Sequence, residues 1–313
     1  MLGYILKRIA ATIPVMAVVA AFVFLMLRLS PGDPASVIAG DYATAEDIAR
    51  IREQLGLNEP ILVQFTKWIG SLAQGDLGIS IFTNLPVTTL IMQRLEPTIM
   101  LTLTTILFTI AVAVPLGTLA AWKSGSLIDR GVMLFSVGGF SIPVFVLGYI
   151  LIYVLSIQLR WLPVQGYKSI FDGIWPFLRH ITLPTLTLSV IFIALIARMT
   201  RASVIEVLQE DYVRTARAKG QSEFKVLLRH ALRNAAVPIV TVIGLSLALL
   251  IGGVVVTESV FNIPGLGRLV LDAVLARDYP IIQGLILFFS FIYILINLLI
   301  DLSYTLFDPR IRY

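Results

Sequence analysis

The chain contains no cysteine, which excludes disulfides and thiolate metal sites. Its two histidines, His180 and His230, lie far apart in connecting segments. A zinc protease needs a ligand cluster that such a pair cannot supply. Charge is also scarce: 14% of the 313 residues are charged and 58% are hydrophobic, with a mean hydropathy of +0.91. The centres of the long apolar runs carry no charged residue; Arg28, Glu258 and Asp301 sit at run ends. That weighs against a proton-driven transporter, which needs an internal Asp, Glu or His relay. It also weighs against a membrane-embedded hydrolase, which needs acid, base and nucleophile within reach of one another. The phosphate-cradling pattern G-x-x-x-x-G-K-[ST] is absent, so the sequence offers no such ATP site of its own.

What the sequence does have is length without charge. Six runs, near Ile9–Leu29, Thr98–Ala121, Val132–Leu159, Ile181–Met199, Val237–Val256 and Ile281–Leu302, suit a hydrocarbon core that about 20 helical residues cross. They are continuous rather than alternating, so the expected fold is an all-α integral membrane protein with six transmembrane helices, not a barrel. The first run exceeds the roughly 7–15 apolar residues of a secretory signal and lacks a clear cleavage site, so it reads as a retained helix.

Six spans with the N-terminus inside put Lys7, Arg8, Lys123, Arg130, Arg310, Arg312 and the basic residues from Arg198 to Arg233 in the cytoplasm. These are more than half of the 24 Lys and Arg, an N-in, C-in distribution. The basic pI of 9.5 then reflects orientation rather than nucleic-acid binding. Three parts follow: 1–29 with the first helix, 30–96 as a periplasmic helical region, and 97–313 with five helices and a cytoplasmic loop at 200–236. In the second part, Ile48, Ile51 and Leu55 show helical spacing, with Thr44 as N-cap and Gly56 as stop. A further short helix is expected at Ile61–Leu72. This small cap serves either as a structured linker or as a docking surface.

Neutral polar residues are patterned. Thr98, Thr102, Thr105 and Thr109 form one stripe on the second span. They either bond to their own helix and pack on a neighbour, or line a solute path. Gly244, Ala248 and Gly252 read as a close-packing stripe. Gln283, Ser290, Asn297 and Tyr304 recur every seven residues as a helix seam. Pro115, Pro143 and Pro184 are expected to bend or interrupt their spans.

The most polar stretch is "DYVRTARAKGQSEFKVLLRHALRN", residues 211–234. Ile205, Leu208, Tyr212 and Thr215 fall on one face of a short amphipathic helix, with Glu210 spaced to pair with Arg214. Gly220 then stops it in a left-handed conformation. Ser222 and Glu223 suit the start of a second helix, where Phe224, Leu227, Leu228, Ala231 and Ala235 share a side. Lys225, Arg229 and Arg233 line another side and suit anionic membrane lipid. For Glu210–Gly220, apolar residues at helical spacing need a covering surface, and another protein's groove provides one.

The segments "LSPGDPA", "EDYVRTARAKG", "RHALRNAAVP", "TESVFNIPGLGRLVLDAVLARDYP" and "FDPRIRY" resemble the permease subunits of bacterial ABC importers for dipeptides, oligopeptides or nickel. The resemblance runs the length of the chain. The wider superfamily's loop reads E-A-A, three residues, G, nine residues, I-x-L-P, which falls here on Arg214, Thr215, Ala216, Gly220, His230, Leu232 and Arg233. Only Ala216, Gly220 and Leu232 match; the departures are like those of the peptide branch. The resemblance implies a type I ABC-importer permease, not an enzyme, in the bacterial inner membrane. It pairs with a second permease, two ATPase subunits that bind ATP and Mg, and a periplasmic solute-binding protein. Glu210, Asp211, Tyr212, Arg214, Thr215, Ala216 and Gly220 become the ATPase-coupling segment. Peptides are the expected solute, with nickel or glutathione-like solutes as alternatives within the family and a self-sufficient transporter or channel outside it.

Overall fold

The computed structural model describes residues 2–29, 34–39, 44–54 and 56–307. In chain order the helices are α1 (Leu2–Leu29), α2 (Pro34–Ala39), α3 (Ala45–Gln54), α4 (Ile61–Ala73), α5 (Val87–Trp122), α6 (Leu127–Ser141) and α7 (Val144–Leu151). There follow α8 (Ile174–Leu208), α9 (Asp211–Ala218), α10 (Glu223–Lys225), α11 (Ala236–Val260), α12 (Leu266–Ala276) and α13 (Tyr279–Phe307). π-helical turns extend α7 over Ile152–Gln158 and α10 over Val226–Leu232. Among the described residues the one strand-like contact is an antiparallel bridge between Ile79 and Pro86. The chain divides into two compact units, residues 1–95 with 269–294, and residues 96–268 with 295–313.

All six apolar runs fall on helices, but not all cross straight. By length and apolarity α5, α8, α11 and α13 each suffice to span a membrane. The third run is broken: α6 and the α7 pair meet at 103° and make a fifth span only if taken together. The break sits where Pro143 demands it, because a residue before proline avoids helical ψ; Ile142 is extended at φ −97°, ψ 120°. Pro115 and Pro184, by contrast, lie inside continuous α5 and α8. Within α1 the described apolar stretch, Ala10–Met26, is shorter than a full span.

In the first unit the cap is bound to the membrane helices. From α4, Phe65 and Trp68 pack on Phe24 of α1, with ring centroids 5.0 and 5.5 Å away. Gln283 of α13 donates to the Val23 carbonyl at 3.1 Å, so the first member of the seven-residue polar series is a seam residue. Ser80 donates to Asp278 at 2.6 Å, both buried. Thr44 immediately precedes α3 and Gly56 follows it at φ +63°, while Leu55, expected on the same helical face, lies outside the described residues.

The second unit is built around α8. Two thirds of its apolar window is buried, against 28% for α5 and 33% for α11. Small residues let neighbours approach it: a Cβ on Gly117 of α5 would collide with the Ala197 carbonyl, and Gly139 of α6 and Gly148 of α7 face Val190 and Thr187 closely. Gly244 on α11 abuts Ile300, whereas Gly252 faces open space, so the expected small-residue stripe works at one end only.

Glu258, at the end of α11, is fully buried. One carboxylate oxygen accepts the Thr98 hydroxyl of α5 at 2.6 Å; the other accepts the Arg268 amide at 2.9 Å. The same Thr98 oxygen accepts the Leu266 amide at 2.8 Å. A side chain on Gly265 would overlap that carboxylate. The motif TESVFNIPGLGR thus folds its turn around its own glutamate and ties it to α5. Nearby, Ser169 and Tyr167 both donate to Glu96, at 2.6 and 3.0 Å. Burial, then the Glu96 hydrogen bond and charge, push the Tyr167 phenol above its usual range, so it keeps its proton and remains a donor.

Two outcomes are expected for the purified protein. Thr98→Val should lower thermal stability by about 1–3 kcal/mol, because it removes one bond from a buried carboxylate and one from the Leu266 amide, while Thr98→Ser stays near wild type. Gly117→Leu should abolish folded yield through overpacking, whereas Gly138→Ala, which meets nothing within 4 Å, should not. Thermal unfolding in detergent and size-exclusion yield report both.

Candidate functional site: a helical knob on the end of α8

The stretch from Ile205 to Gly220 is not one helix. α8 ends at Leu208, and Glu210 is extended at φ −67°, ψ 146° before α9 starts at Asp211. This break resets the helical phase and corrects the expected face. Ile205 and Leu208 belong to α8, while Tyr212 and Thr215 are exposed. The inward residues of α9 are Val213 and Ala216, packed with Val226, Val207 and Leu208. Burial of these three-residue-spaced apolar groups holds α9 on the tip of α8.

The expected ion pair changes with it. Arg214 pairs with Asp211 at 3.2 Å rather than with Glu210, since Glu210 lies outside the helix. Gly220 adopts φ +77°, the left-handed stop that favours glycine. Its amide donates to the Arg217 carbonyl at 2.9 Å, and Gln221 donates to Ala216 at 3.2 Å.

Beyond the glycine the chain returns on itself. Arg217 grips Glu223 with two bonds, 2.9 and 3.2 Å, and His230 shares a 2.8 Å bond with Gln221. Ser222 stands at the start of α10, but its side chain makes no capping bond. The π-helical turn Val226–Leu232 buries Leu227 and Ala231 with Ala235, Val204 and Ala121. Phe224 and Leu228 point outward, 66% and 43% exposed, and so leave the expected apolar side. Lys225, Arg229 and Arg233 are exposed.

The outer face of α9 therefore carries Asp211, Tyr212, Arg214 and Thr215. Burial, then the Glu210 charge, pushes the Tyr212 hydroxyl up, outweighing the opposing bond with Asn234. It is a neutral hydroxyl at physiological pH. The site is a shaped polar surface on an apolar seat.

The threonine stripe is split by its surroundings. Thr98 serves Glu258, and Thr102 bonds back to the Thr98 carbonyl at 2.8 Å. Thr105 and Thr109 have no exposure. They lie on the same four-residue-step ridge as Leu101, Ala113 and Gly117, which is the packing seam of α5. Thr104, outside the stripe, makes a hydrogen bond from α5 to α8, 2.9 Å from Thr185.

Comparison with known proteins fits this architecture. Residues 113–313 match the family model described as binding-protein-dependent transport system inner membrane component, and residues 1–102 match its N-terminal counterpart. A probable peptide ABC transporter permease of Sinorhizobium fredii is 60% identical over 99% of both chains. The glutathione transport system permease of Escherichia coli is 46% identical over the full length of both. An inward-facing MetNI methionine ABC transporter structure, 17% identical, aligns with a TM-score of 0.57 over 71% of this chain and 97% of that one. With full-length relatives and an importer permease fold, the chain belongs to the family of binding-protein-dependent transport system inner membrane components, the permeases of ABC importers.

Proposed function

We propose that the chain is one of two permease subunits in an ATP-driven importer of short peptides across the bacterial inner membrane. Both termini and the α9 knob lie in the cytoplasm, and the 30–96 cap lies in the periplasm. A second permease completes the solute path, two ATPase subunits bind ATP and Mg and supply the work, and a periplasmic binding protein delivers the solute.

The observation that carries this reading is α9. Its polar face is free on the outside, its apolar face is seated on the end of the most buried helix, and Gly220 closes it. A knob so held suits a cleft on another protein. Movement of that protein moves α8, and α8 moves the core. Closure of the ATPases then biases a two-state bundle, provided that the knob stays seated in both states. The solute class rests on the relatives: the 60% identical one is named for peptides, and glutathione, named for the 46% identical one, is itself a tripeptide. The buried Thr105 and Thr109 are assigned to packing, and the path to the faces that meet the second permease.

Gly220→Val should leave membrane insertion intact, because within the chain nothing lies within 4 Å of a Cβ there. It should nevertheless cut uptake of labelled di- and tripeptides per ATP hydrolysed by roughly tenfold, since β-branched residues pay about 1–2 kcal/mol for left-handed backbone. Uptake and solute-stimulated hydrolysis both at wild-type levels in reconstituted vesicles would refute the reading.

A further inference from the structure

α6 begins with an ion pair that the coupling segment does not include. Asp129, in its first turn, is 4% exposed. Arg201 of α8 reaches it with two prongs: Nε donates to Oδ1, and Nη2 donates to Oδ2 at 2.7 Å. Oδ2 also accepts the Gly125 amide at 2.9 Å, fixing the left-handed turn (φ +82°) that joins α5 to α6. Ser126 caps the helix by accepting the Asp129 amide at 3.4 Å. One carboxylate thus binds a turn, a helix start and a second helix together.

The position of this pair is informative. Arg201 lies about two turns, roughly 10 Å, before the end of α8, where α9 is seated on Val207 and Leu208. Between them Val204 packs on Ala121, Leu227 and Ala231. Away from the pair, α6 runs antiparallel along α8: Val132 clusters with Ala197 and Ile193, and Gly139 faces Ala194 and Val190. Those contacts are apolar and small, and they involve no charged group. A forked guanidinium–carboxylate pair fixes distance and orientation together, and a buried polar contact of this kind is best attested as a device that sets register.

We infer that Asp129 and Arg201 are positioning residues that lock α6 to the coupling end of α8, so that a thrust on α9 moves α6 and the α5–α6 turn without slip. The inference rests on the docking role of α9 proposed above and deepens it: the pair lies outside the coupling segment, yet sets how much of the stroke reaches the α6–α7 break at Pro143.

The test uses the assembled transporter in lipid nanodiscs, with spin labels at Leu134→Cys on α6 and Gln209→Cys at the end of α8, both exposed. The absence of native cysteine keeps the labelling of this chain specific. With the pair intact, the separation should be the same in nucleotide-free and vanadate-trapped complexes. In Arg201→Met it should shift by about 1–2 Å on trapping, as interface helices do when they slide, with a smaller shift in Arg201→Lys, which keeps the charge and loses the fork. A separation that changes in the unaltered pair, or that stays fixed in both Arg201 variants, overturns the inference. If Arg201→Met does not assemble, Arg201→Lys and the unaltered pair decide it. A second label pair, from Gln209→Cys to the ATPase subunit, separates the two failures. If that distance drifts between states, the docking reading fails; if it holds while Arg201→Met also holds, only the lock fails.

Discussion

The close packing of α8 is the constraint on which the rest of the second unit depends. In a bilayer, apolar side chains gain little by leaving lipid for one another, so helices associate through tight contact and polar bonds. Around α8 the tight contacts come from Gly117, Gly139 and Gly148, on three different neighbouring helices. The polar bonds come from Thr104–Thr185 in its middle and Asp129–Arg201 near its end. A rod held this way transmits displacement rather than absorbing it. Its buried fraction, 67% of the apolar window against 11% for α13, marks it as the axis of the unit.

Two features at opposite ends of this unit then acquire complementary roles. At one end α9 offers a polar face on an apolar seat. At the other, Glu258 is enclosed by Thr98 and by the turn it heads. A buried carboxylate is costly unless its oxygens are satisfied, so the knot fixes α5, α11 and the start of α12 in one arrangement. The break lies between them, where α6 and α7 meet at 103° before Pro143. Rigid ends with one break suit a machine that moves in segments.

Much of this was legible in the residues. Continuous apolar runs located the long helices, Gly220 announced its left-handed turn, and Pro143 announced its break. Periodicity failed where a single extended residue intervened. The spacing of Ile205, Leu208, Tyr212 and Thr215 is regular, but the non-helical Glu210 shifts the phase, so Val213 and Ala216 turn inward instead. For the threonine stripe, spacing identified a face but not its neighbour, and a stripe facing the chain's own helices looks the same as one facing solute. The Thr98–Glu258 bond joins residues 160 apart, beyond any local pattern. Its one sequence clue was an acid at a span end followed by a turn with two glycines. Likewise Asp129 reads locally as a residue in the first turn of a helix, and only the fold brings Arg201 to it.

The central claim is that the outer face of α9 is gripped by an ATPase subunit while its inner face stays on α8. Site-directed cross-linking in the assembled complex tests it most directly, using cysteine at position 215 or 216 with a short thiol–amine reagent. The account predicts efficient cross-linking from Thr215→Cys to the ATPase in both nucleotide-free and trapped states, and none from Ala216→Cys. Cross-linking from position 216 instead, or from neither in any state, would contradict it.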